Sequence, residues 1–450
     1  MVGAHREAWR LAWPLMLSNV TVPLLGIVDI AVVGHLDAPH YLGAVALGAV
    51  TFSVLYFAFV FLRMGTTGLT AQAFGRGDGD EVRAGLARGL MLAVAIAGLA
   101  LALGALLIEA AVAVADPGPR VAPELRRYLE IRLLGLPAGL ASQVILGWLL
   151  GLQNARGPMA LLIVTNGVNI GLDLLFVPGL GWKVEGVATA TVLAEITGLG
   201  LGIWLVRREL ARLGGTWSRR TLLDLPALRR LLALNLDIFV RSLALQAAFF
   251  SFAALGARQG EMILAANAVL MNLQTLAAFG LDGFSHAAEA MVGRHIGGRD
   301  RAGFRAAIRA NLHCALGLSV LLSLAFLLAG PAAIALMTGL PEVRAAAAVF
   351  LPYMVVSPLI SIWAFLFDGV FIGATRTAEM RNGMVLALAL FAALAFALIP
   401  PLGNHGLWAA FLAFMAWRGL WLGVVFLRIE ARPGGFLGPG GTTSLEAGTA

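Results

Sequence analysis

About twelve long apolar blocks run through this 450-residue sequence from near its start to near its end, each close to or above the ~20 residues a helix needs to cross a hydrocarbon layer. In lipid every backbone amide must find its partner inside its own element, so blocks of this length are helices. They lie near residues 10–33, 42–74, 86–115, 124–150, 158–178, 184–206, 229–256, 262–293, 305–338, 346–374, 381–401 and 404–427. The chain is thus read as an all-α membrane protein with twelve transmembrane helices. With 60% hydrophobic and 13% charged residues, against roughly 45–50% and 25% in soluble domains, it is not a soluble enzyme. The first block holds Pro14, Pro23 and Asp29 and lacks the short apolar core and small-residue cleavage pattern of a signal peptide, so it is expected to stay in the mature chain. Cys314, the single cysteine, leaves neither a disulfide framework nor a thiolate cluster.

The formal net charge is +7, and every basic residue except Lys183 is arginine. The arginines fall between apolar blocks instead of forming one stripe, a pattern of membrane topology and not of nucleic-acid binding. With the N-terminus inside, one set of alternate loops holds most of them, and the opposite set holds only Arg120, Arg126, Arg127, Lys183, Arg258 and Arg344. Basic loop residues are retained on the cytoplasmic side, so both termini are expected there.

Gly65, Gly75 and Arg76 recur as Gly283, Gly293 and Arg294 at an offset of 218, and Arg156 and Gly186 recur as Arg376 and Gly406 at 220. The near-constant offset argues for duplication: a six-helix lobe over 1–211, a cytoplasmic linker over 212–228, a second six-helix lobe over 229–430, and a Gly-, Ser- and Thr-bearing disordered tail over 431–450. Repeat-built transporters place the substrate path at the repeat interface.

Ionisable groups inside spans cost at least ~2.5–3.5 kcal/mol and mark functional paths. Asp29, Asp173 and Thr191 lie about four, five and seven residues from the outer ends of spans one, five and six, and so at similar depth. Asn166, Asn169 and Asp173 share one face of the fifth span, and Glu195 lies a turn below Thr191. Carried across by 220, Asn169, Asp173 and Thr191 become Ala389, Ala393 and Phe411, so the fold alone does not require the polar set. Two carboxylates, amide oxygens and a hydroxyl suit a small cation, and either Na⁺ or H⁺ fits. The candidate cation site is therefore Asp29, Asn169, Asp173 and Thr191, with Na⁺ as the one metal ion considered. Asn166, Glu195, Asp282, Glu289 and Asp368 are secondary or cavity candidates. Asp237 and Arg241, at i,i+4, are expected to form a structural ion pair, and Pro14 and Pro23 to bend the first span.

These segments resemble the multidrug and toxic compound extrusion (MATE) transporters, and within them the DinF branch, over roughly residues 5 to 430. The likeness is carried by Pro14 with Asp29, Asn169-Ile-Gly-Leu-Asp173, Leu236-Asp237-Ile-Phe-Val-Arg241-Ser242, Asp282-Gly-Phe-Ser-His-Ala-Ala-Glu289 and Asp368-Gly-Val-Phe-Ile-Gly-Ala-Thr-Arg376 with Arg381-Asn382. The resemblance implies a V-shaped pair of pseudo-symmetric lobes in the bacterial inner membrane. It implies a cation-coupled antiporter, not an enzyme, exporting cationic or amphipathic organic compounds. It assigns the cation site to Asp29, Asn169, Asp173 and Thr191, with bending of the first helix accompanying protonation. A monomer embedded in the bilayer is expected, without resident cofactor or nucleic-acid partner. Two rival functions have sequence requirements of their own. A lipid-linked saccharide flippase of the same superfamily favours a basic cavity, for which the in-span candidates are Arg63, Arg132, Arg241 and Arg418. An intramembrane prenyltransferase needs paired Asp-rich motifs, whereas a single Asn-x-x-x-Asp is present.

Overall fold

The computed structural model describes residues 2–36 and 38–438, and among them there is no strand. The helices are α1 (Val2–Val33), α2 (Pro39–Ala58), α3 (Phe61–Gly75), α4 (Gly79–Ala102), α5 (Gly104–Ala115), α6 (Val121–Gly151), α7 (Arg156–Leu174), α8 (Val184–Leu210), α9 (Arg219–Leu222), α10 (Leu225–Ala257), α11 (Glu261–Gly297), α12 (Arg301–Met337), α13 (Pro341–Gly373), α14 (Thr377–Leu402) and α15 (Asn404–Glu430). Among the described residues, eleven helical segments are long and apolar enough to cross a membrane, α2 and α3 counting as one from Pro39 to Gly75. With the 32-residue α1 they make up the twelve spans read from the sequence. Two breaks inside spans carry no legible sequence signal: the turn at Phe59 and Val60, and the one at Leu103.

The chain divides into two compact units, Leu17–Arg230 (the N unit) and Met1–Met16 with Leu231–Ala450 (the C unit). The sequence pattern places the first lobe at 1–211; instead, the first sixteen residues group with the second half. Glu7 explains part of this, since Arg294 donates to both its carboxylate oxygens, at 2.6 and 3.0 Å. Trp9 packs edge-on against Phe284 at 5.0 Å. Helix α1 runs unbroken past the buried Pro14; the Pro23 side chain lies outside the described ones.

Within each unit one helix is sunk deepest, α6 in the N unit and α13 in the C unit, and small residues allow it there, as membrane helices use them for close backbone approach. A Cβ on Gly147 of α6 would fall 2.2 Å from the Arg63 carbonyl oxygen, and one on Gly369 of α13 would fall 2.2 Å from that of Ser285. Gly151 against Thr67 and Gly373 against Glu289 repeat the contact one turn later. The loops repeat too: Asp78 caps α4 by accepting from the Glu81 amide, and Asp300 caps α12 by accepting from the Gly303 amide. The left-handed Gly77 and Arg299 precede these caps. These pairs fix the offset at 222 over the first spans, not the 218 suggested by matching Gly and Arg. Four residues are about one helical turn, so a slip of that size preserves helix faces and leaves the sequence pattern intact.

The segment expected as a linker is strapped to the N unit. Arg83 Nη2 donates to the carbonyls of Leu210 (2.8 Å) and Leu213 (2.9 Å), and Arg88 donates to those of Thr221 and Leu222. The tail expected as disordered from 431 is structured as far as 438. A 3₁₀ turn, Gly435–Leu437, buries Phe436 against Phe304, Phe371 and Phe426, while residues 439–450 lie outside the described region.

Candidate functional site: a carboxyl pair in the N unit

Helix α7 carries Asn166, Asn169 and Asp173 at positions i, i+3 and i+7 on one buried face. Immediately beyond, Leu175–Gly179 widens into a π turn. Pro178 has no N–H to return to the Leu174 carbonyl, and the following amides reach back further, with Leu180 donating to the Leu175 carbonyl at 3.0 Å. Such single π turns recur at functional sites, and this one sits against Asp173.

The structure brings all four primary candidates together. The carboxyl groups of Asp29 on α1 and Asp173 on α7 are close enough to interact directly. Asp173 is fully buried and Asn169 is 1% exposed. The Asn169 amide nitrogen donates to Asp173 Oδ2 at 3.1 Å, while its oxygen accepts from the Thr191 amide at 3.0 Å. Thr191 Oγ1 is committed to the Val187 carbonyl at 2.9 Å. One oxygen on each acid, Asp29 Oδ1 and Asp173 Oδ1, is buried without a hydrogen-bond partner. Ionised carboxylates only accept, so two neighbouring acids can hold a proton or a small cation between them. The arrangement is an acid pair with spare acceptors.

The secondary candidates separate into braces and a neighbouring cluster. Asn166 donates to Thr21 Oγ1 on α1 at 2.6 Å, and Thr21 donates to the Ser18 carbonyl, so Asn166 ties α7 to α1. Glu195 belongs to the cluster: Arg132 of α6 donates to its Oε1 at 3.0 Å, and the Tyr56 hydroxyl donates to the same atom at 2.9 Å. Tyr56 and Tyr128 are not among the sequence candidates, and Arg132 enters there only as a candidate for the basic cavity of a flippase. The available signal was an arginine in mid-span, which demands a buried partner.

In the C unit the expected Asp237–Arg241 pair does not form. Arg241 instead reaches Asp368 Oδ2 on α13, which also accepts from Arg418 of α15 at 2.8 Å. Asp237 accepts from Arg381 at 2.5 Å and from Thr377 at 3.1 Å. An i,i+4 pair is worth only ~0.3–0.5 kcal/mol, whereas leaving Asp368, only 7% exposed, without a counter-charge costs several kcal/mol. The cost of an unmatched buried charge decides the pairing. Asp282 is half-buried and acts electrostatically on Arg418. Glu289 is fully buried and contacts His286 Nδ1 at 3.2 Å.

A family model, MatE, matches residues 14–175 and again 238–399. The chain is 45% identical to DNA damage-inducible protein F of Escherichia coli (strain K12), over 95% of this chain and 93% of that protein. It is 31% identical to a probable multidrug resistance protein NorM of Caulobacter vibrioides, over 66% and 64% of the two chains. Among solved structures, that of a mutant of the Vibrio cholerae MATE transporter VcmN matches with a TM-score of 0.84 at 18% identity, over 95% of this chain and 97% of that one.

Proposed function

Because the chain belongs to the MatE family of multidrug efflux transporters and is a multi-pass membrane protein, not an enzyme, we propose that it is a proton-coupled antiporter exporting cationic or amphipathic organic compounds by alternating access. In this reading it works as a monomer in the bacterial inner membrane, both termini cytoplasmic, with no resident cofactor. The observation that carries the reading is the neighbouring Asp29–Asp173 pair, each acid with a buried oxygen that has no hydrogen-bond partner. A proton joining or leaving the pair changes its charge, and with it the cost of keeping a cationic substrate nearby. Asn169 holds Asp173 in place, and its oxygen is turned toward the Thr191 amide. Fewer oxygens then face any shared cation, which favours H⁺ over Na⁺ as the coupling ion. The flippase reading loses support because Arg132 is paired with Glu195, and Arg241 and Arg418 are both held by Asp368.

The test is ethidium efflux from proteoliposomes under a pH gradient and then under a sodium gradient, with the wild type and Asp173→Asn. The expected result is efflux driven by the pH gradient in the wild type and reduced to background in the variant, at unchanged thermal stability. Undiminished efflux in Asp173→Asn, or efflux driven by sodium alone, overturns the proposal.

A further inference from the structure

Beside the acid pair, α6 places a cation on a built seat. Arg132 Nη1 donates to Glu195 Oε1 at 3.0 Å, and its guanidinium carbon lies 4.5 Å from the ring centroid of Phe52. Tyr128, one turn earlier on α6, lies beside the same guanidinium. The helix is hollowed to admit the cluster: a Cβ on Gly135 would fall 2.3 Å from Glu195 Oε2, and one on Gly139 2.0 Å from the Tyr56 hydroxyl. The groups facing Arg132 are Tyr128 on its own helix, Phe52 and Tyr56 from α2, Glu195 from α8 and Asp29 from α1, itself beside Asp173 of α7. Arg132 Nε and Glu195 Oε2 are buried with no hydrogen-bond partner, so this salt bridge engages only part of each group's capacity.

We infer that Arg132 sets the charge selectivity of the N unit: as a resident cation it cancels Glu195, leaves one uncompensated negative charge on the acid pair, and so matches the lobe to monocationic organic substrates. The count is direct. When one proton is bound by the acid pair, Asp29 and Asp173 together carry −1, Glu195 carries −1 and Arg132 +1, a sum of −1. Without Arg132 the sum is −2, suited to a dication; without Glu195 it is zero. A unit charge ~10 Å away at an effective dielectric of ~20 changes an equilibrium by roughly tenfold. The aromatic wall of Phe52 and Tyr56 adds a face that a delocalised organic cation can share. This inference rests on the antiporter reading above.

Ethidium and propidium, a monocation and a dication on one ring system, are the probes, with efflux measured in proteoliposomes under a pH gradient. Arg132→Gln is expected to raise the propidium-to-ethidium ratio about tenfold over the wild type, and Arg132→Lys to leave it unchanged. Glu195→Gln should lower ethidium efflux about tenfold, and Arg132→Gln/Glu195→Gln should return the ratio to near the wild-type value. If Arg132 only braces α6 to α8, the double variant stays as impaired as the single ones. That result, or an unmoved ratio in Arg132→Gln, overturns the inference. Should Arg132→Gln not fold, the Glu195→Gln and double variants decide by the same ratios. A wild type that moves no ethidium under the pH gradient sinks the antiporter reading, whereas wild-type efflux with an unmoved ratio sinks this inference alone.

Discussion

On α8, Thr191 borders Asn169, which in turn holds Asp173; 220 residues later on α15, Phe411 is wedged among Phe249, Phe252, Trp408 and Phe414. The two units use the same glycine-backed crossings and the same aspartate caps, yet one fills this place with hydrogen-bonding groups and the other with aromatic packing. The C unit keeps its buried charges elsewhere and in direct contact, two arginines on one carboxylate oxygen. The N unit keeps a protonatable pair and unused acceptors. A duplicated scaffold thus separates what the fold demands, present in both copies, from what chemistry demands, present in one. Polar groups at the N-unit site are replaceable as far as packing goes, and those around Asp368 are not.

The sharpest break of this comparison sets Asp368→Asn against Asp173→Asn. Removing Asp368 leaves Arg241 and Arg418 buried without their shared partner, and breaking such a site costs ~3–5 kcal/mol. Thermal unfolding in detergent should therefore drop steeply for Asp368→Asn and stay level for Asp173→Asn, which removes no ion pair. Equal losses would mean that the N-unit acids are structural after all.

Next in size is the exchange of roles at Thr191 and Phe411. Phe411→Ala opens a cavity in an aromatic core and should cost ~3 kcal/mol of stability, with efflux per folded molecule retained. Thr191→Ala should remain within ~0.5 kcal/mol in stability and lose efflux instead, because Asn169 loses the side chain lying against its amide. Melting curves paired with transport assays read both. A Phe411→Ala variant that folds well but no longer couples would move part of the mechanism into the C unit.

How much of the molecule is legible in its sequence follows from range. Span lengths, depth along a helix and helix faces are local quantities, and they suffice to bring Asp29, Asn169, Asp173 and Thr191 together. The partner of Arg241 is not local. The nearest acid in sequence is Asp237, but the energy lies with the acid that burial makes most costly, and only tertiary packing shows that to be Asp368. The burial of Phe436 fails to register for a similar reason: one aromatic in a glycine-rich tail has no periodicity, and its pocket is built from α12, α13 and α15. Arg132 is half-legible, its cost evident and its partner not.

The smallest effect probes what the copies share. Asp300 caps α12 through the Gly303 amide and also meets His295 Nδ1 at 3.0 Å, while Asp78 caps α4 through the Glu81 amide at 3.0 Å. The Gly303 backbone N–H holds the Asp300 carboxyl below its ordinary value of 3.8. The unfolded chain therefore binds the proton more readily, and the cap's contribution is present above about pH 3.8 and lost as the pH falls through the lower folded value. Asp300→Ala should cost about 1 kcal/mol at neutral pH, with the difference from wild type shrinking in melts taken below that range. Asp78→Ala should cost a similar amount, since the cap is a property of the shared scaffold. A cost confined to one copy would show that the duplicated loops no longer do the same work.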